Sequence, residues 1–260
     1  MLRKSTVILV SSPQGGSGKS TIAVNLAFHY AKQNLRVLLM DLAVYGSLPS
    51  MLKIPIRGNG MSSLITALEQ KEEEFELTEF TGLFHDAILH HESMNNLHML
   101  LSASPLKMEK LTANQTDYLL RSAKSENYDL IIVDTSSELS ERNITAVDHA
   151  DLILIPTLQD VTSGWKVLLY KEILDNLNVT KDRIGLVINR CSKYSAFNNS
   201  EFQLELGCDV LGEIEELSKW VHRYVNVGIP MVNARKKRAA SPFQYLANTV
   251  MKRLEAGYER

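Results

Sequence analysis

The stretch Val7-Ile8-Leu9-Val10-Ser11-Ser12-Pro13-Gln14-Gly15-Gly16-Ser17-Gly18-Lys19-Ser20-Thr21 runs from a β-branched apolar segment through a glycine-rich loop into the helix-forming Ile22-Ala23-Val24-Asn25-Leu26-Ala27. The order is strand, glycine-rich loop, lysine, hydroxyl, helix. Glycines at 15, 16 and 18 let backbone N–H groups turn inward around phosphate oxygens, and a helix beginning near Lys19 adds the positive end of its dipole. In such a loop Lys19 reaches the β- and γ-phosphates and the Ser20 hydroxyl ligates Mg²⁺. Gly15, Gly16, Ser17, Gly18, Lys19, Ser20 and Thr21 together form the phosphate cradle. Pro13 stands where the general pattern G-x-x-x-x-G-K-[ST] has its first glycine.

Outward from this loop, short apolar runs recur at Val37–Met40, Leu97–Leu101, Leu130–Val133, Leu152–Ile155 and Ile184–Ile188. Runs of this length without polar alternation suit strands buried on both faces. Helical segments are expected over Ser20–Gln33, Ala113–Ser125 and Gly164–Leu177. Strands alternating with helices predict an α/β fold, a doubly wound and mostly parallel sheet flanked by helices. Ligands of such sheets bind outside the carboxyl ends of the strands, so residues just after each run carry the chemistry. Tyr128-Asp129-Leu130-Ile131-Ile132-Val133-Asp134 is an apolar strand ending in aspartate, which places Asp134 to meet Mg²⁺. The following Thr135-Ser136-Ser137 then forms a loop that senses the γ-phosphate.

Composition agrees with a soluble globular chain. Across 260 residues, 28 Lys and Arg meet 30 Asp and Glu, for a net charge of −2, and 45% of residues are hydrophobic. A chain of this length can close one core, so a single domain over 1–260 is expected. The near-neutral balance argues against wrapping nucleic acid by bulk charge. Cys191 and Cys208 make no disulfide framework or metal pattern by themselves. The run after Arg3-Lys4 is too short for a signal peptide, and no stretch reaches the roughly 18 apolar residues of a membrane span. A cytoplasmic location is expected.

The Gly-Gly-x-Gly-Lys-Ser-Thr form, with Asn25 and Leu26 after it, resembles the deviant Walker A loop of the MinD/ParA group of ATPases. The resemblance runs from Val7 to about Leu254 and implies a P-loop NTPase that binds ATP with Mg²⁺ and forms a nucleotide-dependent homodimer. That family carries a signature lysine before the glycine pair, which reaches the partner's nucleotide; here the position is Gln14. It also carries Asp-x-Asp after the second strand. Asp41 matches the first aspartate, which in that family supports the Mg²⁺ shell and is read here as catalytic with Lys19; the second, which there helps to orient the attacking water, is Ala43 here. Losing both the lysine and the second carboxylate implies slow hydrolysis with binding retained. Asn189 matches the residue whose amide reads the adenine edge. Within the group, Ser12-Pro13-x-Gly15-Gly16, Asn96 to Pro105, and Asn189-Arg190 look most like the CpaE/TadZ branch. That branch implies a nucleotide switch positioning a pilus or secretion assembly, recruited by partners to the cell pole or inner membrane face.

Other features allow rival readings. Arg235-Lys236-Lys237-Arg238 is the one strong basic run, and it suits either a solvated or nucleotide-proximal segment or the weak DNA contact of a partition ATPase. The stripe Phe243, Leu246, Ala247, Val250 and Leu254 suits packing on the core better than the membrane insertion of a MinD-like site regulator. His85, His90, His91 and His98 read as a solvated strand-and-turn segment rather than a metal site. The acidic residues from Glu69 to Glu79 read as a solvated face.

Overall fold

The computed structural model describes residues 5–54, 60–70, 77–195 and 199–258. In chain order the strands are β1 (Thr6–Val10), β2 (Val37–Asp41), β3 (Leu89–His91), β4 (Met94–Leu100), β5 (Leu130–Asp134), β6 (Leu152–Leu158), β7 (Ile184–Cys191) and β8 (Asp209–Glu215). The helices before β5 are α1 (Lys19–Lys32), α2 (Leu48–Leu52), α3 (Met61–Gln70), α4 (Leu77–Ala87), α5 (Pro105–Glu109) and α6 (Ala113–Ser125). After it come α7 (Glu141–His149), α8 (Val161–Asn176), α9 (Asn199–Leu206), α10 (Ser218–Val225) and α11 (Lys237–Tyr258). The eight strands form one sheet in the order β3-β4-β2-β5-β1-β6-β7-β8. Every pairing is parallel except that of β3 with β4.

The unbroken apolar runs are explained by burial on both sides. Val7, Leu9, Ile131, Val133, Ile153 and Ile155 pack toward α3, α4 and α6–α8. Their alternating neighbours Ile8, Val10, Ile132, Leu152 and Leu154 pack toward α1 and α11. Each such side chain contributes about 1.5–3 kcal/mol when removed from water. The terminal stripe Phe243, Leu246, Ala247, Val250 and Leu254 is buried against the second of these clusters, and the buried Tyr30 hydroxyl donates to Ala247 O at 2.8 Å. The apolar face of α11 is therefore part of the core. No helix among the described residues is long and apolar enough to cross a membrane.

Several expectations are corrected. β6 does not stop before Pro156 but continues to Leu158, pairing with β7 beyond the point where β1 has left the sheet. Leu154 O accepts from Ser11 N, so by alternation the missing N–H of Pro156 falls on that vacated side and no ladder bond is lost. α8 begins at Val161, ahead of Gly164, because the Asp160 side chain accepts from Ser163 N at 2.8 Å and caps the helix there. His98 is not solvated: it is buried, bonded to the Tyr128 hydroxyl at 2.8 Å, with its ring 4.1 Å from that of His90. Most of the acidic run, residues 71–76, lies outside the described residues. The basic run is exposed at the start of α11, where Arg238 pairs with Glu215 at 2.7 Å.

Candidate nucleotide site

β1 leaves the sheet at Val10 between β5 and β6, which lead to opposite edges, so the crevice at its carboxyl end is the place where ligands of open α/β sheets bind. The loop from Ser11 to Gly18 fills that crevice and feeds α1. Its backbone needs glycine at Gly18, where φ is +100°, in the left-handed region. Gly18 O accepts from Ile22 N at 2.9 Å, closing the first turn of α1, and no side chain caps the helix. The N-terminal N–H groups of α1 are thus left for a ligand's oxygens.

The loop is braced from three sides. Asn189, at the end of β7, donates to Ser17 O at 2.8 Å, while its carbonyl accepts from Arg190 N at 2.9 Å. A Cβ on Gly18 would stand 2.3 Å from that same amide nitrogen. Ser11 shares a 2.9 Å hydrogen bond with the Tyr170 hydroxyl of α8, and the Thr135 hydroxyl donates to Val10 O at 3.1 Å. Within α1, buried Asn25 donates to Thr21 O and accepts from Val232 N at 2.6 Å, tying the helix to the segment ahead of α11.

Lys19 is buried, and its ammonium donates to Gln14 O at 3.0 Å. Burial lowers its pKa, opposed by the charges of Asp134 and Glu138. Asp41 and Asp134 end the adjacent strands β2 and β5 in direct register, both fully buried. Burial raises both carboxyl pKa values, and for Asp134 the charge of Asp41 adds to the rise. Asp41 accepts from Ala43 N at 3.0 Å and, at 3.4 Å, from the Ser102 hydroxyl. Neither oxygen of Asp134 receives a well-formed hydrogen bond; the Ser20 hydroxyl and Thr135 N–H lie close enough only to temper its shift. Ser17 Oγ and Gln14 Oε1 are likewise buried without partners among the described residues.

Buried polar atoms cost about 1–3 kcal/mol each when unpaired, so this concentration of them has a chemical meaning. Orphaned carboxylate oxygens on Asp134 beside the Ser20 hydroxyl are the hard oxygen donors that suit Mg²⁺. The unpaired Ser17 hydroxyl, the Lys19 ammonium and the open N-terminus of α1 suit phosphate. The structure brings together Gly15, Gly16, Ser17, Gly18, Lys19, Ser20, Thr21, Asp41 and Asp134, with Asn189 bracing the loop from the other side. Sequence reasoning missed Ser102, which bonds Asp41; Glu138, whose charge acts on Lys19; and Arg142, which bonds Glu138 at 2.6 Å. Ser102 follows β4 and Glu138 lies four residues past β5, so a search of strand ends could have found them; Arg142 sits on a helix and gave no signal.

A glycine-rich cradle at the end of β1, a lysine inside it and two register-paired carboxylates beside it define a P-loop nucleotide-binding protein. A family model described as an AAA domain matches residues 5–178. The septum site-determining protein MinD of Thermotoga maritima is 23% identical over 252 residues, 94% of this chain and 87% of that protein. The chromosome partitioning protein ParA of Myxococcus xanthus is 28% identical over 160 residues, 58% of this chain and 51% of that protein. The structure of Pyrococcus horikoshii MinD complexed with Mg-ADP superposes with a TM-score of 0.79 at 20% identity, covering 98% of this chain and 99% of that one. This chain belongs to the AAA domain family and, within the P-loop ATPases, to the MinD/ParA group.

Proposed function

We propose that this protein is a Mg-ATP-dependent switch that dimerises face to face around nucleotide, positions a pilus or secretion assembly, and hydrolyses ATP slowly. The observation that carries this reading is the unpaired, buried Asp134 carboxylate beside Ser20 and Lys19. In it the glycines and Lys19 hold the phosphates, Ser20 and Asp134 hold Mg²⁺, and Asp41 supports that shell from the next strand. The cation would supply charge neutralisation at the β- and γ-phosphates. The Mg-ADP bound to Pyrococcus horikoshii MinD supports the choice of ligand class. Slow turnover follows from Gln14 and Ala43, which replace a cation and a carboxylate in chemistry that depends on positioning and charge.

Dimerisation is supported by the surface at the carboxyl ends of the strands. Tyr45, Leu106, Leu139, Val161 and Tyr194 are large, exposed and apolar, and each lies in a loop or at a helix start following a strand. An apolar rim around the nucleotide crevice suits a partner that covers it. Size exclusion with and without Mg-ATP tests this: a shift to twice the mass with ATP, lost in Lys19→Ala, is expected, and an unchanged monomer contradicts it. A polar focus of a fluorescent fusion, abolished by the same substitution, is expected of the positioning role; uniform fluorescence contradicts that role.

The exposed cluster Arg235 to Arg238 favours a second reading, a ParA-like partition ATPase that contacts DNA backbone. A salt titration of DNA binding in the presence of ATP separates the two. Binding that falls steeply with salt supports partition, and none at low salt removes it.

A further inference from the structure

The loop after β5 carries a carboxylate for which the nucleotide-holding residues leave no role. Glu138 Oε1 accepts from Arg142 Nη2 at 2.6 Å and from the Ser136 hydroxyl. Arg142 is almost wholly buried, and its other terminal nitrogen donates to Met108 O, so the guanidinium is itself fixed. Asn143 Nδ2 donates to Glu138 O at 2.7 Å, which holds the backbone of the same residue. This loop carboxylate is thus held through its side chain by Arg142 and through its main chain by Asn143, both of α7. Both side-chain bonds fall on Oε1, so Oε2 is uncommitted among the described residues.

Its position follows from two further contacts. Ser136 Oγ, which donates to Glu138, accepts from Val44 N at 3.4 Å, one residue beyond Ala43. Glu138 is thereby joined through a single hydroxyl to the loop after β2, at the place where Ala43 supplies no carboxylate. Its charge is also felt at Lys19, alongside that of Asp134, and its side chain is 40% exposed rather than buried in the core. Ser137, next in sequence, lies over Gly15: a Cβ there would be 3.8 Å from the Ser137 hydroxyl.

We propose that Glu138 orients the attacking water in this ATPase, a partial replacement for the carboxylate that position 43 lacks, so that turnover is slow rather than absent. The inference rests on the reading of the site as one that hydrolyses ATP. Glu138 Oε2 accepts a hydrogen bond from the attacking water and aligns it with the γ-phosphorus. The water oxygen gives a lone pair to that phosphorus as the bond to the β,γ-bridging oxygen breaks, and the electron pair of that bond leaves on ADP. One water proton stays on the attacking oxygen and the other passes to a phosphate oxygen, so Glu138 neither gains nor loses a proton in the step. Arg142 is a positioning residue, since it acts only through Glu138.

Glu138→Gln tests the inference, because glutamine keeps a carbonyl oxygen for Arg142 and Ser136 while losing the anionic acceptor. Three quantities are read: steady-state ATP turnover, affinity for a fluorescent ATP analogue with Mg²⁺, and melting temperature. The expected result is a fall in kcat of at least about tenfold with KM and analogue affinity within about twofold. Adding Ala43→Asp to Glu138→Gln should recover turnover without tightening binding. Unchanged kcat in Glu138→Gln overturns the inference, as does a loss of affinity matching the loss of rate, or a failure of Ala43→Asp to recover turnover. Natural protein that binds Mg-ATP but never turns it over overturns the inference and leaves the binding reading intact. Natural protein that does not bind the analogue overturns the reading of the site itself.

Discussion

Asp41 and Asp134 stand opposite each other in the register of β2 and β5, both fully buried and both with raised carboxyl pKa values. Two acids so placed retain protons in the folded chain that the unfolded chain has already released. The folded state therefore binds more protons across this window, and stability falls as pH rises from the ordinary carboxylate range through the raised folded values. Metal-free protein should melt lower at about pH 8 than at about pH 5.5, and Asp134→Asn should flatten that slope and raise the melting point at pH 8 by about 3 °C or more. Mg²⁺ with nucleotide should release a proton on binding, so its affinity should rise over the same range. A melting curve independent of pH, or steeper in the asparagine variant, would contradict the pairing.

Gly18 has no room for a side chain. Alanine there would take up a left-handed backbone at a cost of about 1–2 kcal/mol and drive its Cβ against Asn189. Gly18→Ala should fold with a lowered melting point and bind no fluorescent nucleotide. Asn189→Ala should leave binding weakened rather than abolished, because it removes one brace from Ser17 O. Equilibrium binding on the two variants checks both outcomes, and normal affinity in Gly18→Ala would refute the account of the loop.

The terminal helix is a stability element. Leu246→Ala should cost about 2–5 kcal/mol because Leu246 is fully buried and lies against Gly212 of β8. Tyr30→Phe should cost about 1 kcal/mol by removing the buried hydrogen bond from its hydroxyl to Ala247 O. Urea unfolding measures both, and a near-zero effect of Leu246→Ala would show that α11 is not part of the cooperative unit.

The sheet was legible wherever the strands are buried on both faces. Val7–Val10 and Leu130–Val133 carry no polar alternation because both sides meet helices. The edge strands were not legible for the converse reason. β8 reads Asp209-Val210-Leu211-Gly212-Glu213-Ile214-Glu215, with exposed acids interleaved among buried residues, and β3 has only three residues, two of them histidine. Within the site, the loop and the two strand-ending aspartates could be read because each is contiguous in sequence with its strand. The contacts of Ser102 with Asp41, Tyr170 with Ser11 and Val232 with Asn25 span from 61 to 207 positions, and no local pattern reports them. Asn189 was placed at the nucleotide by resemblance, and the structure adds that its amide already braces the loop.

The central claim is that Lys19, Ser20 and Asp134 form a Mg-nucleotide site, and isothermal titration of ATP into the protein with and without Mg²⁺ measures it most directly. Binding that strengthens with Mg²⁺ in the natural protein is predicted, with Lys19→Ala losing binding at least about tenfold and Asp134→Asn losing only the Mg²⁺-dependent part. Equal binding with and without Mg²⁺, or full affinity in Lys19→Ala, would contradict the account.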